Sequence, residues 1–160
     1  MAGERLAELA VKSVVDWIDA QLPTYLRAVE AQLSLASGAL TDPSDVVAAD
    51  VPDYGGATPL IEVWETVGAE ESRQNRIYQY GINIAVTHAY DADIETGRRF
   101  VRNYMTALVD CIHAGPTLGG KVDQIFIGSQ SFAVEHGSNA KHLHHAVLET
   151  AVRIFDTAGV

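Results

Sequence analysis

The sequence predicts an α+β protein in which an antiparallel four-stranded sheet, made of two β-hairpins, packs against two main helices in the order α-β-β-α-β-β. Two observations predict this class. An alternating strand over residues 77–90 runs directly into a helical pattern over about 93–113. After a Gly/Pro turn at 114–120, two more strands are predicted at about 122–135 and 143–157. With 160 residues, the chain is expected to form a single domain.

An amphipathic helix is predicted at the amino terminus, because apolar residues recur there at spacings of three and four. Pro23 interrupts the pattern and is expected either to end this helix or to open a second one, since proline is tolerated only in a first turn. Helical spacing continues after it. The residues that carry the two parts of the pattern are Leu6, Leu9, Ala10, Val14, Trp17, Tyr25, Leu26, Val29 and Leu33.

Periodicity disappears between residues 34 and 57, where prolines and glycines interrupt the backbone. A loop of this length is uncommon in a compact domain unless it binds something or is disordered. We therefore predict a long loop or arm over 34–57 and expect it to become ordered on assembly.

The first hairpin joins a short strand at 59–67 to the long strand at 77–90, across an acidic and polar tip. Alternation places Ile61, Val63 and Val67 on one face of the short strand, and Glu62, Trp64 and Thr66 on the other. In the long strand, one face is predicted to carry Tyr78, Tyr80, Ile82, Ile84, Val86 and His88.

The second helix is expected to pack an apolar side on the sheet and to turn Arg98, Arg99 and Arg102 toward solvent. Leu108 of this helix and Ile154 of the last strand are predicted to pack together in the core. The apolar side is formed by Ile94, Val101, Tyr104, Met105, Leu108 and Ile112.

The charge balance is acidic, with 21 Asp and Glu residues against 11 Lys and Arg. No Lys or Arg lies between Arg27 and Arg73, a segment that holds nine carboxylates. Such a surface repels phosphate and disfavours conventional nucleic-acid binding. Two interpretations remain open: the acidity serves solubility alone, or it lines a passage through which DNA moves without sticking.

The single cysteine, Cys111, cannot form an internal disulfide and is expected to be a buried, inert thiol. This favours an intracellular or virion-interior setting over secretion. The first residues do not resemble a signal peptide. No apolar stretch approaches the ~20 residues of a membrane span, so no contact with a membrane is expected.

Three motifs could suggest chemistry, and a structural interpretation is favoured for each. His142, His144 and His145 could supply imidazoles to a metal, but no further ligand stands at a telling spacing, so a hairpin tip or contact surface is preferred. The carboxylates of Asp91, Asp93 and Glu95 fall where a helix begins and are expected to cap it. The glycines at 115–120 follow a helix and form a stop instead of a phosphate loop. No catalytic, cofactor-binding or metal-binding residue is predicted.

The chain resembles the tail terminator, or tail completion, proteins of long-tailed bacteriophages, the lambda-like minor tail proteins. The resemblance covers roughly residues 59–157. The segments that carry it are Tyr78-Gln-Tyr-Gly-Ile-Asn-Ile-Ala-Val-Thr-His88, Asp91-Ala-Asp-Ile-Glu95, Leu108-Val-Asp-Cys-Ile-His113, and Pro116-Thr-Leu-Gly-Gly120 before Val122-Asp-Gln-Ile125. The long loop at 34–57 departs from a minimal version of the family.

The resemblance implies a non-enzymatic virion protein that is assembled in the host cytoplasm and resides in the tail or neck. Its partners would be itself, in a homo-hexameric ring, the tail tube protein below the ring, and head connector or neck proteins above it. The ring would stop growth of the tube, and DNA would pass through its lumen without specific binding. The main alternative is a neighbouring head-to-tail connector subunit. A metal-dependent enzyme using the His and Asp clusters is a distant one.

If the chain forms such a ring, acidic side chains of the segment without Lys or Arg are expected to face the lumen. The histidines near the tip of the second hairpin are expected at a contact surface. The residues assigned to the lumen or interface are Asp42, Asp45, Asp50, Asp53, Glu62, Glu65, Glu70, Glu71, His142, His144 and His145.

Overall fold

The computed structural model describes residues 2–49, 57–66, 71–72, 77–90, 93–136 and 142–155. Within these ranges the helices are α1 (Ala2–Gln32) and α2 (Ile94–Ala114). The strands are β1 (Asp45–Ala48), β2 (Leu60–Glu65), β3 (Glu71–Ser72), β4 (Ile77–Tyr90), β5 (Gln124–His136) and β6 (His142–Phe155). The predicted α+β class is confirmed.

The strands form one mixed sheet in the order β1-β2-β4-β6-β5, with the two-residue β3 paired to β4 off this path. β1 pairs with β2 in parallel, and the other neighbours are antiparallel. The predicted four-stranded sheet was wrong, because β1 lies inside the range expected to be a loop. Its four residues are too short to show a period, and pairing with β2 across the intervening chain stabilises it as a strand.

α1 runs through Pro23, so the prediction that proline ends or opens a helix here was also wrong. An internal proline costs about 3 kcal/mol through a lost hydrogen bond and a steric clash. Ile18, Leu22 and Leu26 lie on both sides of Pro23 and are completely buried. Burial of this continuous apolar stripe offsets the cost, since each such side chain contributes roughly 1.5–3 kcal/mol.

The ends of α2 follow the capping rules. The Asp93 side chain accepts hydrogen bonds from the Glu95 backbone N–H and the Thr96 hydroxyl, which hold the pKa of this carboxyl below its ordinary value. Asp91, which was also expected to cap, lies outside the described residues. Gly115 follows the last turn, as the predicted helix stop requires.

Both helices pack on one face of the sheet. The β4 residues on this face are Tyr80, Ile82, Ile84 and Val86, and β6 contributes Ala146, Leu148, Val152 and Ile154. Leu108 and Ile154, which were predicted to pack together, are both buried in this core cluster. The exposed side of α2 carries Arg98, Arg99 and Arg102, also as predicted.

Among the described strands, β1 and β5 form the edges of the sheet, and the strands of the first hairpin, β2 and β4, lie inside it. β5 has 13 residues and presents Phe126 and Phe132, which are 38% and 48% exposed.

Candidate functional site

The acidic residues assigned to a lumen do not form one surface in the described part of the chain. The side chains of Glu62 and Glu65 point to opposite faces of the sheet, because their β4 partners are Ala85 and Ile82. Glu62 is only 2% exposed, so it adds nothing to the outer surface of the subunit, whereas Glu65 is exposed. Asp45 begins β1, and its carboxylate accepts a hydrogen bond from the backbone N–H of Val46.

Glu71 contributes backbone to β3, and Asp50, Asp53 and Glu70 lie outside the described residues. Asp42 is exposed and lies 3.2 Å from the Arg27 guanidinium. The same guanidinium contacts the buried carboxylate of Glu30 at 2.9 Å, so Asp42 belongs to an ion-pair network at the carboxyl-terminal end of α1.

The three histidines of β6 do not converge on one point. Alternation directs His142 and His144 to the face that the helices cover, and His145 to the opposite face. There His145 contacts the Thr87 hydroxyl at 3.2 Å through Nδ1 and the Glu135 carboxylate at 3.5 Å through Nε2. Across the described ranges, no group of three or more His, Cys, Asp or Glu side chains is placed to hold a metal ion.

His144 lies against α2 in a site that only glycine leaves open. Its Cα pairs across the sheet with His88, whose ring stacks on Phe100 at a centroid distance of 4.0 Å. A Cβ atom on Gly97 would lie 2.1 Å from His144 Nε2, so the absence of a side chain there makes room for the imidazole. His144 is 1% exposed, and neither of its ring nitrogens has a hydrogen-bond partner among the residues that the structure describes.

Burial keeps these two histidines neutral. It lowers the pKa of His88 from 6.5 to about 4, with a further contribution from His144. Burial also lowers the pKa of His144, and His142, Arg98 and His145 act in the same direction. Each imidazole therefore offers one N–H donor and one acceptor nitrogen near neutral pH.

A pocket of about 90 Å³ opens beside His144, between α2 and the β5–β6 hairpin. Positively charged and neutral side chains surround it, with no carboxylate among the described lining residues. Those residues are Arg98, Val101, Arg102, Phe132, Ala133, Val134, His144 and His145. The pocket is polar enough and large enough to hold waters or a small polyatomic ion.

Other reactive groups of the described chain are inert or committed to packing. Burial raises the pKa of the Cys111 thiol to about 12, so the thiolate nucleophile does not form near neutral pH. The Tyr104 hydroxyl donates to the Thr41 carbonyl, and burial raises its pKa as well. No helix within the described ranges is long and apolar enough to cross a membrane.

Comparison with known proteins adds no relative: no family model matches the chain, and no curated protein matches it.

Sequence reasoning missed the residues that line the pocket. Arg98 and Arg102 were assigned to a solvated helix face, and Gly97 received no role. Two signals could have drawn attention to them. Three of the 11 Lys and Arg residues fall within positions 98–102 of an otherwise acidic chain. A glycine inside a helical pattern is unfavourable by ~1 kcal/mol and often marks a close approach of another group.

Proposed function

We propose that this chain is a structural subunit of a bacteriophage tail, a tail terminator that forms a ring at the head-proximal end of the tail tube. The ring stops growth of the tube and joins the tail to the head connector. The proposal begins from the resemblance carried by residues 78–88, 91–95, 108–113, 116–120 and 122–125. The observation that supports it most is the pair of different edge strands, β1 and β5, at opposite ends of the strand order of the described residues.

Two different edges suit the assembly of a ring. A contact between unlike surfaces leaves one free surface at each end of a growing row of subunits. The row closes into a ring when the rotation between neighbouring subunits permits. β5 offers a long row of backbone donors and acceptors, flanked by Phe126 and Phe132. An exposed edge of this kind is a template for pairing with another chain.

The negative charge suits a channel for DNA. A formal net charge of −10 on each subunit would be multiplied around a ring, and phosphates would be kept from docking on its wall. Screening over ~8 Å at physiological salt still leaves a narrow lumen with negative potential. Among the described members of the predicted lumen set, Asp45 and Glu65 are exposed.

The ring is tested by the size of the protein in solution, alone and mixed with tail tubes, by analytical ultracentrifugation and electron microscopy. Ser131→Lys adds a charge to the β5 edge and should weaken the ring. Ala28→Lys places the same charge on an exposed position of α1 and serves as the matched control. A wild-type chain that stays monomeric, both alone and on tubes, would contradict the proposal.

The position of the ring separates a terminator from a connector subunit. A terminator should cap tail tubes and stop their elongation when no heads are present. Binding only to tail-less heads would favour the connector instead.

The acidic lumen is tested by exchanging Asp45 and Glu65 for Lys. The exchange should leave assembly intact and slow the release of DNA from particles. A ring structure with every acidic residue of the set on its outer surface would refute the lumen assignment and leave solubility as the role of the charge.

A further inference from the structure

We propose that the pocket between α2 and the β5–β6 hairpin binds one small oxyanion: a phosphate, a sulfate or a carboxylate group. This site is independent of the proposed place of the chain in a phage tail. Two observations support the proposal: two arginines line the pocket, and the buried imidazole of His144 also lines it.

The two arginines give the pocket its charge and its geometry. Arg98 and Arg102 lie one helical turn apart on the exposed side of α2, so both guanidiniums can reach one ligand. The Arg102 guanidinium carbon lies 6.0 Å from the centre of the Phe132 ring, which supports it beside the pocket. Arg98 has an exposed ion pair with Glu95 at 3.5 Å, a contact of little strength that a ligand can replace. Guanidinium groups match oxyanions with paired, charge-assisted hydrogen bonds.

His144 supplies the second, independent indication of a ligand. A buried polar group almost always has a hydrogen-bond partner, and one without a partner is unfavourable. His144 is 1% exposed and has no such partner within the described part of the chain, although it lines the pocket. Its N–H would donate to the oxygen of an oxyanion that the arginines hold. Gly97 keeps the space for the ring, since a Cβ atom there would collide with it.

A metal ion does not fit the same lining. Two guanidiniums repel a cation, and His145 is directed to the other face of the sheet. An apolar ligand would leave His144 without a partner. Of these three ligand classes, the oxyanion satisfies both the positive charge of the arginines and the unpartnered imidazole.

Binding should depend on pH because the ligand stabilises the imidazolium form of His144. In the free protein the pKa of His144 is lowered, and a bound oxyanion raises it. His144 therefore takes up a proton when the oxyanion binds, and binding becomes tighter as the pH falls. The titratable and charged groups around His144 come from each neighbouring element. They are His88 of β4, Arg98, Arg102 and Glu95 of α2, Glu135 of β5, and His142 and His145 of β6.

The experiment titrates the purified full chain with sodium sulfate, sodium phosphate or sodium acetate, against sodium chloride at equal ionic strength. Binding is followed by calorimetry and by the NMR signals of the His144 ring. Sulfate stays dianionic across the pH range, so its pH dependence reports the protein alone. We expect saturable sulfate or phosphate binding that moves the His144 signals and strengthens as the pH falls.

Variants distinguish anion binding in the pocket from general electrostatic attraction of anions to the arginines of α2. Arg98→Gln and Arg102→Gln should each weaken binding by about tenfold, the loss expected for one charge-assisted contact. Arg99→Gln removes the same charge from the intervening position, which does not line the pocket, and should leave binding unchanged. An equal loss in the Arg99 variant, or no saturable change at His144 with any of the three anions, would overturn the proposal.

The choice of anion identifies the source of the ligand. Tighter binding of sulfate and phosphate than of acetate supports the site and assigns it to a free tetrahedral anion. Tighter binding of acetate also supports the site and assigns it to a carboxylate group, such as an Asp or Glu side chain of a second molecule.

Discussion

The indole Nε1 of Trp17 donates a hydrogen bond of 2.9 Å to the backbone carbonyl oxygen of Cys111, and so joins the middle of α1 to the last turn of α2. The same indole packs against the backbone at Gly115. A single residue therefore provides both a polar and an apolar contact between the two helices.

A side chain at position 115 should separate this pair. A Cβ atom on Gly115 would lie 2.1 Å from Cζ2 of Trp17, so we expect Gly115→Ala to reduce the free energy of unfolding by about 1–3 kcal/mol. Urea unfolding measures the loss. Trp17→Phe removes the part of the ring that collides, so Gly115→Ala should cost clearly less in that background. Equal costs in the two backgrounds would show that the contact with Trp17 is not the cause.

The buried carboxylate of Glu30 should stabilise the segment that follows α1. It is 2% exposed, accepts a 2.7 Å hydrogen bond from the Leu40 backbone N–H, and pairs with Arg27. Glu30→Ala leaves that buried N–H without an acceptor, so we expect a loss of about 2–3 kcal/mol in chemical unfolding. Glu8→Ala removes an exposed carboxylate from the same helix and should change stability by less than about 0.5 kcal/mol. Similar losses for the two variants would argue against this role of Glu30.

The elements with a strong period could be predicted from the sequence, and those that depend on distant partners could not. β4 and α2 were placed to within a few residues because alternation and helical spacing are sustained over 14 and 21 residues. β1 has four residues and is defined by its pairing with β2, which no local pattern encodes. Pro23 alone predicts a break in α1, but burial of the apolar stripe before and after it stabilises a continuous helix.

The candidate site was harder to predict than the fold for the same reason. Glu62 and Glu65 are near each other in sequence but face opposite sides of the sheet. The pocket takes residues from α2, β5 and β6, which become neighbours only after the sheet has formed. The sequence pattern could not show that His144 would be buried with no hydrogen-bond partner among the described residues.

The helix–sheet core should be sensitive at Leu108. This side chain is fully buried in the cluster that contains Ile154, so Leu108→Ala should cost about 2–5 kcal/mol in thermal or urea unfolding. Val109→Ala, at the adjacent and partly buried position, provides the comparison and should cost less. A loss below about 0.5 kcal/mol at Leu108 would mean that the assignment of the buried helix face is wrong.

The histidines of β6 are expected to bind no structural metal. His144 and His145 face opposite sides of the sheet, whereas a structural zinc site needs about four ligands around one point. Elemental analysis should find no stoichiometric zinc in the purified protein. Its melting temperature should not respond to a chelator, and a variant with His142, His144 and His145 all changed to Ala should be equally insensitive. One zinc per chain would refute the expectation.

Acid should destabilise the fold in part through His88. Because the pKa of His88 is lowered from 6.5 to about 4 in the folded protein, the unfolded chain binds more protons than the folded one between those values. Stability should therefore fall as the pH drops from about 6.5 to about 4 and should lose no more from this group below that. Allowing for solvent screening, the contribution is up to about 2 kcal/mol.

Carboxylates also titrate in this window, so the useful measurement is the difference in slope between wild type and His88→Gln in urea unfolding at several pH values. The slope should be shallower for His88→Gln than for wild type, because the substitution removes the group that takes up the proton on unfolding. Parallel slopes for wild type and His88→Gln would show that His88 does not link protonation to folding.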